Sequence, residues 1–136
     1  QICDRVTPAV HRELREALPG IALIQVVHVV GADSVAEAAE AAELVDALLL
    51  DSGDPRLPVK QLGGTGRTHD WRLSARIVAE FPVPVFLAGG LDASNVGDAI
   101  RAVRPWGVDL CSGVRTNGDL DPAKLRRFFA AVAEAG

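Results

Sequence analysis

The chain has 136 residues, which suits a single domain around one hydrophobic core. It is 49% hydrophobic with a net charge of -4, so it reads as globular rather than disordered, and it has no basic stripe or interleaved aromatics for nucleic acid. No apolar run reaches the roughly 18 residues of a membrane span, and the N-terminus has no charged region followed by an apolar core; a cytoplasmic protein is expected. Cys3 and Cys111 lie far apart and match no metal spacing, so two free thiols are predicted. The chain opens at Gln1 rather than Met, from which further residues upstream are expected.

Taken in order, Thr7-Pro8 predicts a helix start, with the Thr hydroxyl as cap and Pro at the first helical position. Val10, Leu14, Ala17 and Leu18 fall on one face of that helix, and Pro19-Gly20 ends it. Residues 21–30 form an apolar run broken by Gln25 and His28, with none of the alternation of a half-exposed strand. Such a run predicts a strand covered on both faces, as in a parallel sheet. Ser34 with Glu37 predicts a capping box for an Ala-rich helix reaching about Val45. Residues 47–51 are the next strand, followed by turn chemistry at Gly53-Asp54-Pro55 and a glycine-bearing loop to Thr68.

Asp70 is placed to cap a helix through Leu73, Ile77, Val78 and Phe81. Pro82 and Pro84 bracket entry into a strand over 85–88 that ends at Gly89-Gly90. Asp92 is expected to cap a helix carrying Val96, Ala99, Ile100 and Val103, which stops near Pro105. Residues 108–111 are the last strand and close in Ser112-Gly113. Asp121-Pro122 opens a terminal helix with Leu125, Phe128, Phe129 and Val132 on its apolar side. Trp71 and Trp106 read as packing residues, His28 as a hydrogen-bonded core histidine, and His69 as a loop residue.

Helix and strand alternate throughout, which predicts an α/β fold with a parallel sheet. Four strands are visible, with a fifth remnant at Gln1-Ile2. An eight-stranded barrel takes about 200 to 250 residues, so the pattern fits either a small open sheet or part of a barrel. Three strands end in more than turn residues: Asp51-Ser52, Gly89-Gly90 and Ser112-Gly113. Barrel enzymes that bind phosphate place a catalytic side chain at a strand C-terminus and an anion site in the final βα loops. Glycines there let backbone N–H groups approach an anion, and helix N-termini add favourable dipole. Gly63-Gly64-Thr65-Gly66 could serve likewise or act as a lid.

These residues resemble the phosphoribosylanthranilate isomerase family of tryptophan biosynthesis. The likeness rests on Leu49-Leu50-Asp51-Ser52, Gly63-Gly64-Thr65-Gly66, Asp70-Trp71 and Leu87-Ala88-Gly89-Gly90-Leu91. It continues through Asn95-Val96, Ala99-Ile100, Arg104-Pro105, Gly107-Val108-Asp109 and Ser112-Gly113-Val114. The resemblance implies a (β/α)8 TIM-barrel fold of which residues 1–136 are about the C-terminal half, strands 4/5 to 8, as one partial domain. It implies an aldose-ketose isomerase that carries N-(5-phosphoribosyl)anthranilate through an Amadori rearrangement, with no metal or organic cofactor. Asp51 matches the family's general acid. Gly64, Gly66, Gly89, Gly90, Ser112 and Gly113 match its phosphate-binding glycine loops, and Asp109 either meets a ribose hydroxyl or is a buried acceptor. The implied partner is a small phosphosugar, not nucleic acid or membrane, with a homo-oligomer or a missing N-terminal half completing the molecule.

Departures from the family pattern are also legible. The family's general base is a cysteine at the end of its first strand, a strand that is not in this sequence, and its anthranilate-binding Arg is likewise absent. Cys3 falls where the family usually carries the His of a Gln-Leu-His-Gly segment, here Gln1-Ile2-Cys3-Asp4. Arg115 stands where an acidic residue is usual, and a Lys common in the following segment is missing. These changes motivate two alternatives: a divergent barrel acting on another phosphoribosyl compound, or a half-barrel without catalysis.

Overall fold

The computed structural model describes residues 1–53 and 68–136. Strands β1 (Ile24–His28), β2 (Ala47–Asp51), β3 (Val85–Leu87) and β4 (Gly107–Val108) form a sheet in the order β1-β2-β3-β4. Every pairing is parallel, with Val26 beside Leu49, Leu49 beside Phe86, and Phe86 beside Gly107. Ile2 extends the sheet beyond β1: its N–H donates to the Ile24 carbonyl at 2.8 Å and its carbonyl accepts from Val26 at 2.9 Å. Between the strands run α1 (Pro8–Ala17), α2 (Asp33–Ala42), α3 (Trp71–Glu80) and α4 (Val96–Val103), and α5 (Pro122–Ala135) ends the chain. The alternation predicted from sequence is therefore present, as an α/β fold on a parallel sheet.

Side chains alternate across each strand, so the sheet sorts its residues onto two faces. Val27, Leu48, Leu50, Val85 and Leu87 face the helices and meet Val35 and Ala38 of α2, Ile77 of α3, Ala99 of α4 and Phe128 of α5. Fully burying one such side chain stabilises by about 1.5–3 kcal/mol. The other face carries a smaller cluster of Val26, Leu49 and Ala88, packed by Ile24 and Phe86. β1 and β2 are thus buried on both faces, as the unbroken apolar run predicts, although the helix-facing side carries the larger cluster.

Several local expectations change. The buried residue of α1 is His11, whose Nε2 lies 2.9 Å from Gln25 Oε1, while Leu18 is exposed. Gln25 is tolerated within a strand because its amide nitrogen donates to the carbonyls of Ile2 at 3.1 Å and Asp4 at 3.0 Å. Thr7 makes no side-chain cap, and Pro8 alone marks the start of α1. Ser34 forms no capping box either. Its hydroxyl donates to the His28 carbonyl at 3.0 Å and accepts from Val30 N–H at 3.1 Å, so it serves the free groups of a strand end. Helix α4 starts at Val96 after Asn95, which makes no side-chain cap, and Asp92 makes the turn before it by accepting from Ser94 N–H at 2.7 Å. Phe129 is exposed, whereas Phe128 is buried.

One element went unpredicted. Strands β5 (Arg115–Thr116) and β6 (Asp119–Leu120) form an antiparallel hairpin closed by Asn117 and Gly118, at φ +53° and +91°. Both central residues are left-handed, the conformation that Asn-Gly turns favour between strands.

Candidate active site

The site begins with register. His28 of β1 pairs with Asp51 of β2, so both side chains leave the sheet on the same face at its C-terminal edge. The ladder continues as Ala88 N–H donates to the Leu50 carbonyl at 2.7 Å and Asp109 N–H to the Leu87 carbonyl at 2.8 Å. A single row results: His28, Asp51, Ala88, Asp109. Asp51 is 8% exposed, and its Oδ1 accepts from the Ser52 N–H at 2.7 Å, which fixes the carboxyl against its own turn. Asp109, at the far end of the row, is exposed.

The loop after β3 closes in on that carboxyl. Gly89 has φ +88° and lies so near Ser52 that a Cβ there would come within 2.8 Å of its backbone nitrogen. Gly90 follows at φ +64°, and Asn95 holds the loop by donating to the Gly90 carbonyl at 2.9 Å and accepting from Asp92 N–H at 2.9 Å. Across from it, a Cβ on Gly113 would overlap the Leu91 carbonyl, so the short 3-10 turn Ser112–Val114 can sit this close only with glycine. Three sequence-predicted glycines, Gly89, Gly90 and Gly113, thus suit the backbone shape found here. Gly64 and Gly66 lie outside the described residues.

Between these two loops is a cavity of about 380 Å³, lined by Gly90, Asp92, Ser112 and Gly113 together with Lys124 and Arg127 of α5. The two cations were missed from sequence. Their i, i+3 spacing put them on one side of α5, but nothing local said that this side meets the preceding loop. Lys124 Nζ donates to the Arg115 carbonyl at 2.6 Å. The Ser94 hydroxyl, with adjacent backbone N–H groups and Lys124, holds the Asp92 carboxyl below its usual range. Glycine loops and two cations converging on one cavity can hold a small anion. Arg115, the cation that sequence placed nearest, does not line it; its Nη1 donates to the Gly118 carbonyl at 2.8 Å within the hairpin.

Two histidines stand near Asp51. His28 is 4% exposed and its Nε2 lies 3.0 Å from the Cys3 carbonyl, a hydrogen-bonded core histidine as expected. His69 is more than a loop residue: its Nε2 is 2.7 Å from the hydroxyl of buried Ser74. Burial holds the His69 imidazole below its ordinary range, with the charges of Asp51 and Asp70 opposing. Cys3 and Cys111 are free and exposed. Among the described residues no three ligating side chains gather as a metal site, and no helix is long and apolar enough to cross a membrane.

Known proteins with this arrangement are recognisable by sequence and by shape. N-(5'-phosphoribosyl)anthranilate isomerase of Methanothrix thermoacetophila is 40% identical over 133 residues, covering 97% of this chain and 59% of that protein. The same enzyme of Desulforudis audaxviator is 50% identical over 107 residues, covering 78% of this chain and 50% of that protein. Among solved structures, phosphoribosyl anthranilate isomerase of Thermotoga maritima superposes with a TM-score of 0.76 at 30% identity, covering 96% of this chain and 58% of that one. The corresponding protein of Thermococcus kodakaraensis gives 0.68 at 37% identity, covering 93% and 59%. The chain therefore spans little more than half the length of these relatives. Residues 7–131 match the family model of N-(5'phosphoribosyl)anthranilate (PRA) isomerase, and with sequence and fold in agreement the chain belongs to that family.

Proposed function

We propose that this chain is the acid-bearing and phosphate-holding half of a (β/α)8 barrel that isomerises N-(5'-phosphoribosyl)anthranilate in cytoplasmic tryptophan biosynthesis. One observation carries the reading: a buried carboxyl ends β2, and its neighbour Ser52 lies against the glycine turn that leads to a cation-lined cavity. The phosphate of the substrate fits that cavity, where Gly90 and Gly113 leave room beside the backbone and Lys124 with Arg127 balance charge. The ribose then extends across the row towards Asp51, with Asp109 within the same row for a hydroxyl.

The chemistry follows from that placement. Asp51 delivers a proton to the furanose ring oxygen; the C–O bond breaks, the oxygen leaves as a hydroxyl, and the anomeric carbon and its exocyclic nitrogen become a protonated imine. A base then removes the proton from the neighbouring carbon, giving an enolamine that tautomerises to the ketose. On this reading the base comes from the complementary half of the barrel. Atoms balance without oxidant or reductant, since one proton enters at oxygen and one leaves carbon.

Steady-state turnover of N-(5'-phosphoribosyl)anthranilate by the protein containing this chain tests the assignment. Asp51→Asn keeps the oxygen that accepts from Ser52, so its urea midpoint should stay close to wild type while kcat drops about 10²- to 10⁴-fold, the usual worth of a positioned acid. Retention of most activity would remove Asp51 from the mechanism.

A further inference from the structure

We propose that His28 accepts a hydrogen bond, through Nδ1, from the donor carried on the anomeric carbon of the bound phosphoribosyl compound. The inference rests on the function proposed above and adds a contact to it. The Cys3 carbonyl can only accept, so the 3.0 Å bond places a proton on His28 Nε2, and a ring with that single proton presents a bare lone pair at Nδ1. That atom is buried and has no hydrogen-bond partner. A buried acceptor without a donor is destabilising, and a ligand donor would remove that cost. His28 also lines a cavity of about 850 Å³ that reaches from Asp4 and Val30 to Val10 of α1 and Glu37 of α2.

The order of groups along the sheet edge matches the order of groups in the ligand. Neighbouring strands are about 4.8 Å apart. The anion cavity lies between the loops after β3 and β4, Asp51 stands on β2, and His28 follows on β1. A 5-phosphoribosyl amine runs phosphate, ring oxygen, then the N–H on the anomeric carbon. With the phosphate in the cavity and the ring oxygen at Asp51, that N–H is carried towards His28. Ring opening turns the nitrogen into a protonated imine, a stronger donor, so the bond to Nδ1 strengthens as the reaction proceeds.

Long-range proton–nitrogen NMR at pH 8 on the labelled protein tests this without requiring turnover. Free protein should show His28 Nδ1 unprotonated. Ribose 5-phosphate, which carries a hydroxyl on the anomeric carbon, should shift that nitrogen saturably, in step with the Gly90 and Gly113 amides. 1,4-Anhydroribitol 5-phosphate, which lacks that hydroxyl, should shift the two amides and leave His28 in place. A protonated Nδ1 overturns the proposal, as does a His28 that responds to both compounds equally or to neither while the amides move. If neither compound moves the amides, the phosphate reading fails and this inference falls with it.

Discussion

His69 is held neutral by its surroundings, and its response to acid has a definite sign. The unfolded imidazole takes up a proton near pH 6.5, whereas the buried ring does so only at lower pH. Between those values the unfolded state binds more protons, so stability rises with pH there. As the pH falls through about 6.5, wild type should lose stability relative to His69→Phe, and the gap should stop widening once the folded ring also titrates. Urea midpoints at pH 7.5 and 5.5 check it; a gap independent of pH would mean that the ring titrates as freely as in the unfolded chain. At this scale the sequence was readable where chemistry and position coincide. Asp51 stood at the end of a leucine run, and Gly89, Gly90 and Gly113 at strand ends. Lys124, Arg127 and His69 were not readable as site residues, because each enters by a long-range approach. Trp106 was read as packing; it stacks edge-on against Phe86 with centroids 5.0 Å apart yet remains 71% exposed.

At the scale of elements, caps were legible wherever the partner lies within three residues. Asp70 accepts from Arg72 N–H at 3.0 Å, and Asp121 accepts from the N–H groups of Ala123 and Lys124 at 2.9 and 3.1 Å. Asp121 also sets the first turn of α5, from which Lys124 reaches the loop ahead of it. Asp121→Ala should lower the urea midpoint, and Asp121→Asn, which keeps an acceptor, should restore most of it. Equal losses in both variants would show that the charge and not the cap matters. Bonds from Lys124 N–H and the Thr116 hydroxyl hold the Asp121 carboxyl below its usual range, so this contribution is full near neutrality and fades only below about pH 4. Ser34 misled because a strand end competes for its hydroxyl. The Asn117-Gly118 turn went unread although its signal was local: the flanking strands have two residues each, too few to show alternation.

On the scale of the whole molecule, the alternation of strands and helices predicted the sheet, but not that its helix-facing side carries the larger cluster. The two faces should differ in what they lose. Leu48 is buried among the helices and Leu49 in the small cluster opposite. Leu48→Ala should cost about 3–5 kcal/mol and Leu49→Ala about 2 kcal/mol, since the cost of a truncation grows with the cavity it leaves. Urea denaturation of the two variants measures the difference, and equal values would mean equal packing.

The strand that bears Asp51 has a neighbour on either side, whereas the glycine turns of the anion cavity hang from loops. Loop backbone opens at lower free energy than a central strand. Asp51 is therefore anchored in a slow-opening part of the chain, and the cavity loops in a faster one. On the proposed function, capture and release of the ligand would proceed on one clock while Asp51 keeps its aim on another.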